Sequence, residues 1–206
     1  ASGNYGAEGA NVKWTLDSKG TLTFSGKGAI KDFIAVDGPE PPPMWRGNEN
    51  VKEIVIENGI TRIGDNVFDY CTEVESITIP DSVTYIGKFA FGYCENLTTL
   101  TLVKNITIDE KAFGGCKNLS TINNIEYIKN FAPYVFANTA IEILSLEDVI
   151  ICESAFAGIT TLKEVRIKTN TELGKCAFAN CENLETIIID APALGEESFN
   201  NCTKLN

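Results

Sequence analysis

A six-residue pattern with apolar side chains at its first, fourth and sixth positions recurs along three quarters of the chain. It reads Val51-Lys-Glu-Ile54-Val-Ile56, Val74-Glu-Ser-Ile77-Thr-Ile79, Leu97-Thr-Thr-Leu100-Thr-Leu102, Ile141-Glu-Ile-Leu144-Ser-Leu146, Leu162-Lys-Glu-Val165-Arg-Ile167 and Leu184-Glu-Thr-Ile187-Ile-Ile189. In extended backbone alternate residues face opposite sides, so each segment predicts a short strand with one buried face. Leu119-Ser-Thr-Ile122-Asn-Asn124 breaks the rule by placing an amide where an inward aliphatic belongs. Asn124 either bonds to backbone inside the stack or marks a bulge. The same coil carries Phe131-Ala-Pro133, and Thr139 stands where others have Cys.

Each strand is followed by a turn and a second apolar step, as in Ile60-Thr-Arg-Ile63-Gly64 and Val83-Thr-Tyr-Ile86-Gly87. A phrase built on Ala-Phe comes next: Ala90-Phe91-Gly-Tyr-Cys94, Ala112-Phe113-Gly-Gly-Cys116 and Ala177-Phe178-Ala-Asn-Cys181. It predicts a short helical or 3₁₀ turn whose Ala approaches the sheet and whose Phe fills the coil. The marker phenylalanines are Phe68, Phe91, Phe113, Phe136, Phe156, Phe178 and Phe199, separated by 23, 22, 23, 20, 22 and 21 residues. Units of that length cannot bury their apolar faces alone and must stack into a solenoid. The expected fold is an α/β solenoid, a right-handed array of about seven coils with parallel strands and short helical turns.

Residues 1–50 lack the repeat. Val12, Trp14 and Leu16 alternate, Asp17-Ser18-Lys19-Gly20 turns, and Leu22 and Phe24 alternate again, which predicts a β-hairpin. Placed before the first coil, it would cover strand groups and apolar side chains otherwise exposed there. The expected division is therefore 1–50, a hairpin cap with a connector, and 51–206, the repeat array. The connector Asp37-Gly38-Pro39-Glu40-Pro41-Pro42-Pro43-Met44-Trp45 is stiffened by its prolines. It reads either as a polyproline ligand for a partner's groove or, more simply, as a link whose Met44 and Trp45 pack on the first coil. The closing Asn201-Cys-Thr-Lys-Leu205-Asn206 stops where another strand is due. Further repeats, or end-to-end self-association through an uncapped last coil, are expected there.

The stretch from Val74 to Leu97, read as L-x-x-I-x-I-P-x-x-V-x-x-I-G-x-x-A-F-x-x-C-x-x-L, resembles the BspA-like class of leucine-rich repeats. The resemblance covers residues 51–206. Asn11-Val-Lys-Trp14-Thr-Leu-Asp-Ser-Lys-Gly20-Thr-Leu-Thr-Phe24-Ser-Gly26-Lys-Gly28-Ala29 also resembles the hairpin that precedes such repeats in proteins of gut and oral bacteria. The class consists mostly of bacterial and protist surface proteins. The resemblance thus implies a cell-surface or secreted location and a role in adhesion or in recognition of host proteins, glycans or neighbouring cells.

Composition narrows the chemistry. With 17 basic and 28 acidic residues the net charge is −11, which disfavours nucleic acid in the absence of a segregated basic patch. No apolar run approaches the roughly 18 residues of a bilayer span, and Ala1 to Trp14 has no signal-peptide pattern. Seven cysteines raise disulfides, but Cys71, Cys94, Cys116, Cys181 and Cys202 share one repeat position, with Cys152 and Cys176 elsewhere. Coils stacked ~4.8 Å apart hold equivalent Cβ atoms beyond the ~3.8 Å of a disulfide, so buried reduced thiols acting as small apolar spacers are expected. The chain has no His, which removes His-activated nucleophiles and weakens any zinc reading of Cys176-x₄-Cys181. Adjacent acids such as Asp109-Glu110 and Glu196-Glu197 point apart on a solenoid rather than across a cleft. A calcium column of Asp65, Glu110, Glu153 and Glu196 is interrupted by Lys88, Pro133 and Lys175. The Asn-x-Ser/Thr triplets at Asn96, Asn105, Asn118 and Asn201 mostly follow from the repeat's wording. No catalytic residue, cofactor or metal is expected.

Parallel stacking would align outward side chains on a concave sheet. One column is Glu53, Ser76, Thr99, Thr121, Ile143, Glu164 and Thr186, and the next is Val55, Thr78, Thr101, Asn123, Ser145, Arg166 and Ile188. Their polar members form the candidate ligand-facing surface, which suits extended extracellular protein or glycan better than a small molecule. The same residues also read simply as good strand formers on a solvated face. Tyr70 and Tyr93 offer a second surface, or pack at the core edge. A binding module leads the expectations, ahead of a structural spacer presenting another domain and, remotely, a carbohydrate-active enzyme.

Overall fold

Alternation at the N-terminus builds an antiparallel meander. Strands β1 (Ser2–Gly6), β2 (Gly9–Leu16) and β3 (Thr21–Gly26) pair in order, and β4 (Gly28–Ala29) follows at once. In this computed structural model residues 1–34, 40–168, 170–190 and 194–205 are described. Each later turn contributes a pair of strands: β5 (Glu53–Ile56) and β6 (Ile60–Ile63), β7 (Ser76–Thr78) and β8 (Tyr85–Ile86), β9 (Thr99–Thr101) and β10 (Thr107–Ile108). These are followed by β11 (Thr121–Asn123) and β12 (Asn130–Phe131), β13 (Ile143–Leu146) and β14 (Ile150–Ile151), and β15 (Glu164–Ile167) and β16 (Glu172–Leu173). β17 (Thr186–Ile189) closes the series.

The strands form two parallel ladders. The first runs β3-β5-β7, then β9-β11, then β13-β15-β17, with the antiparallel β1 and β2 ahead of β3, and the second runs β4-β6-β8-β10, then β12-β14-β16. β3 and β4 thus start both ladders, so the cap is joined to the array by backbone pairing as well as by side chains. Trp45 extends this continuity. It lies 23 residues ahead of Phe68, which is the array's own step. Its turn repeats that of Phe68: Asn48 N–H donates to the Trp45 carbonyl at 3.2 Å as Cys71 N–H does to Phe68 at 3.3 Å. Its indole N–H donates to the Val67 carbonyl at 2.7 Å. Repeat geometry therefore begins upstream of Val51. Of the connector, Asp37, Gly38 and Pro39 lie outside the described residues. Trp45 is buried as the packing reading expects, whereas Met44 is 47% exposed.

Between the ladders runs a column of rings. Phe68, Phe91, Phe113, Phe136, Phe156 and Phe178 are fully buried, and half-buried Phe199 ends the series. Successive rings stack with centroids 5.1–5.9 Å apart and planes within 21°. That separation slightly exceeds the ~4.8 Å between paired strands, and an offset stack accommodates the difference. At the N-terminal end Phe24 meets Phe68 edge-on at 5.2 Å, and Trp45 receives Tyr5, Trp14 and Phe24 edge-on at 5.1–5.3 Å.

The Phe turns are not the helical turns expected. The residue two before each Phe (Asn66, Phe89, Lys111, Tyr134, Ser154, Cys176, Glu197) and the residue two after (Tyr70, Tyr93, Gly115, Asn138, Gly158, Asn180, Asn201) have φ between 52 and 76°. Left-handed backbone every fourth residue rules out a helix, which needs consecutive right-handed residues. It also turns alternate N–H groups outward along the stack. Phe68, Phe91, Phe113, Phe136, Phe156 and Phe178 each donate to a carbonyl of the next turn at 2.8–3.1 Å, flanked by equivalent bonds from the left-handed residues. The turns thus form a third inter-turn ladder. Among the described residues the one 3₁₀ segment is Ile125–Tyr127. Six turns carry both strands, fewer than the seven expected, because the last has only β17 and the Phe199 turn among the described residues.

The coil that begins at Leu119 is asymmetrically joined. Asn124 makes the expected backbone bond, its amide N–H donating to the Leu102 carbonyl at 3.0 Å, but at φ 62° it ends β11. β11 pairs with β9 of the preceding turn, and β12 pairs with β14 of the following one. The 3₁₀ turn carries the chain between them.

Phe113→Ala removes a fully buried ring with stacking partners on both sides, which costs on the order of 3–5 kcal/mol. Phe199→Ala is expected to cost markedly less, because that ring has a stacking neighbour on one side and is half exposed. Urea denaturation followed by circular dichroism measures both; equal losses would contradict the ring column as a cooperative core.

Candidate functional site

The outward side of the first ladder carries the predicted columns in the predicted register, but in three pieces. Glu53 pairs with Ser76 and Val55 with Thr78; Thr99 pairs with Thr121 and Thr101 with Asn123; Glu164 lies between Ile143 and Thr186, and Arg166 between Ser145 and Ile188. Thr21 and Thr23 of the cap extend both columns ahead of Glu53 and Val55. No backbone pairing joins β7 to β9 or β11 to β13 among the described residues, so the ladder beneath the columns is interrupted twice.

Local chemistry differs between the pieces. Thr21 donates its hydroxyl to Glu53 at 3.0 Å, and Asn123 donates its amide to the Thr101 hydroxyl at 3.1 Å. Arg166 forms an ion pair with Glu164 two residues before it on the same face. Ile143 and Ile188 flank that pair and are 64% and 51% exposed. This combination of two large exposed aliphatics around an ion pair is absent from the Thr- and Ser-lined pieces. The sequence columns already contained both isoleucines, but the polar members drew the prediction.

Tyr70 and Tyr93 stack at 4.7 Å and remain about two-fifths exposed. Arg46 lies over Tyr70 at 4.6 Å while its guanidinium holds Asp69 through two bonds of 2.8 and 3.1 Å. The bond to Asp69 raises the already high Arg46 pKa. The pair is packed and anchored at the core edge.

Three members of the acidic column, Asp65, Glu110 and Glu196, are tied to basic side chains rather than gathered around a centre. Asp65 accepts from the Lys88 N–H and from Arg62, both at 3.1 Å. Glu110 lies 3.7 Å from Lys88 and 3.8 Å from Lys111, and Glu196 lies 3.6 Å from Lys175. Among the described residues no three metal-ligating side chains cluster. On the second ladder Arg62 bridges Asp32 at 2.6 Å and Asp65, sits over Tyr85 at 5.2 Å, and Tyr85 donates its hydroxyl to Asp109. Burial, then the bond to Asp109, pushes the Tyr85 hydroxyl up to about 12. This network joins residues from the cap and three turns and has no signature in any one of them.

The cysteine column does more than fill space. Cys94, Cys116, Cys181 and Cys202 point their thiols at the carbonyls of Phe68, Phe91, Phe156 and Phe178 in the preceding turns, at 3.2–3.4 Å. Cys71 approaches the Trp45 carbonyl at 3.6 Å. Each thiol therefore serves a buried acceptor with its weak donor. Thr139 instead donates to Phe136 in its own turn at 2.8 Å. Burial raises the pKa of Cys71, Cys94 and Cys116, the last up to about 12.

The repeating strand-turn-strand-Phe unit has a counterpart among known proteins. The profile of the BspA type leucine rich repeat region matches residues 44–150 and 147–206, in six copies. The chain belongs to the BspA-type leucine-rich repeat family. The match starts at Met44, beside the Trp45 turn that already stacks as a coil. Among solved structures, a leucine-rich repeat protein of T. pallidum is similar at 18% identity, over 99% of this chain and 91% of that one, with a TM-score of 0.50. A leucine-rich cell surface protein of Faecalibacterium prausnitzii matches at 18% identity over 95% and 80%, with a TM-score of 0.45. A leucine-rich repeat protein from Eubacterium ventriosum matches at 18% over 100% and 77%, with a TM-score of 0.43. Identities this low speak to the shared fold alone. No curated protein matches the chain.

Thiol reactivity tests the cysteine geometry of this BspA-type array. Burial shields a thiol from the reagent and, at Cys71, Cys94 and Cys116, also raises its pKa and so lowers the fraction of reactive thiolate. At pH 8 an aromatic disulfide reagent is expected to titrate Cys152 and Cys176, which are partly exposed, and to reach the other five only in denaturant. Rapid reaction of more than two thiols in the folded protein would contradict the buried column.

Proposed function

We propose that this BspA-type chain is a non-catalytic binding module of the cell surface or of a secreted protein, taking an extended protein or glycan across the outward face of the first ladder. The observation that carries the reading is the Ile143, Glu164, Arg166 and Ile188 patch. Exposed aliphatics beside an orientable ion pair offer both apolar contact and charge-assisted hydrogen bonds. The Thr99, Thr101, Thr121 and Asn123 piece, with Glu53, Ser76, Thr78, Ser145 and Thr186 around it, supplies a run of hydroxyl, amide and carboxylate groups for further contacts. Adhesion and host recognition are the roles this surface suits within a repeat family whose stacked units create long continuous faces.

Binding to an array of extracellular-matrix proteins and of host and microbial glycans tests this, with Thr99→Ala, Thr101→Ala and Arg166→Ala, and separately Ile143→Ala with Ile188→Ala, in parallel. A saturable partner is expected to lose about tenfold or more in affinity when the isoleucines are truncated, as central apolar contacts do in other interfaces. Absence of any partner at high concentration would favour a spacer that presents another domain.

A further inference from the structure

The asymmetric turn opens a groove on the second ladder, away from the first-ladder face. Thr107 N–H donates to the Thr84 carbonyl at 2.9 Å, continuing β10 onto β8, but among the described residues Asn130 N–H finds no partner on β10. The opening between β10 and β12 encloses about 490 Å³ and is lined by Lys104 and Thr107 from one turn and by Glu126, Tyr127, Lys129 and Asn130 from the next. Both lysines are exposed, and Tyr127 is half-buried.

Charge singles this groove out. Eleven of the 17 basic side chains form ion pairs of 3.8 Å or less with carboxylates. The other six are Lys13, Lys19 and Lys27 in the cap, Lys204 in the last turn, and Lys104 and Lys129 in the body of the array. In a chain of net charge −11, two cations without a carboxylate partner among the described residues therefore border the same cavity, one from each of the turns that flank it. Glu126 lines the groove and pairs with neither.

We propose that the groove binds an acidic sugar residue of a glycan, with its carboxylate or sulfate held by Lys104 and Lys129. Thr107, Asn130, Glu126 and the unpaired Asn130 N–H supply hydrogen-bond partners for ring hydroxyls, and Tyr127 supplies an apolar ring for a sugar face. The volume suits one or two sugar rings. An acidic peptide fits less well, because β10 and β12 are two residues each and give too short an edge for strand addition.

Calorimetric titration of the full chain with an oligogalacturonide and with a sulfated galactan oligosaccharide tests this, using an unsulfated galactan oligosaccharide and a poly-glutamate peptide as comparisons. Saturable binding of at least one acidic sugar is expected, weakened by salt, with the responding arm identifying the anion as carboxylate or sulfate. Lys104→Ala and Lys129→Ala should each weaken it about tenfold, while Lys19→Ala, which removes an exposed cation of the cap, leaves it unchanged. The inference is overturned if neither acidic sugar binds, if the neutral sugar or the peptide binds equally well, or if affinity is indifferent to both lysines. Because the groove and the first-ladder face share no residue, failure of one leaves the other standing.

Discussion

Most turns of this protein complete their hydrogen bonding on their neighbours. A coil of some twenty residues has no room for an internal sheet or helix, so its strand amides and its alternate turn amides all point along the stack. Unpaired, those groups would be buried donors and acceptors at a cost of one to three kcal/mol each, by order of magnitude. Stacking satisfies them in three parallel ladders while the rings of the Phe column close over one another. The two requirements are met by the same translation, and this is why the repeat length scarcely varies.

That constraint explains features that look unfavourable when taken singly. Tyr70, Phe89, Tyr93, Lys111 and Tyr134 adopt left-handed backbone, a conformation that normally disfavours side chains of this size. In the stack the same conformation aims an N–H at the next turn. The cysteines follow similar logic: the Phe carbonyl beneath each one is buried, and a thiol is small enough to fit and polar enough to serve it. Thr139 bonds within its own turn and Ile159 holds the same position one turn on, so the thiol column is interrupted over two turns, the first of which is the one where both strand ladders change partners.

Function in such an array comes from what the ladders leave over. Outward strand positions are free of packing duty, and they differ from one piece of the first ladder to the next: hydroxyls and amides near β9 and β11, aliphatics and an ion pair near β13, β15 and β17. Departures from the repeat create concavity. The groove between β10 and β12 exists because Asn124 and the 3₁₀ turn displace the chain for half a coil. A perfectly regular stack would offer ridges and little else.

The strand phases, the Phe column, the hairpin and the outward columns were legible from the sequence, because period two within strands and a fixed step between turns are properties of residue order. Even the Trp45 turn was readable in principle, since it stands one step before Phe68. The form of the Phe turns was not, because tight i-to-i+3 bonding looks alike in a short helix and in a turn broken by left-handed residues, and only the direction of the remaining N–H groups separates them. The partition of each ladder into pieces, the Asp32, Arg62, Asp65, Tyr85 and Asp109 network, and the meeting of Lys104 with Lys129 at one cavity depend on how turns sit against one another. Contacts between residues more than twenty positions apart carry no local pattern, so the tertiary structure alone decides them.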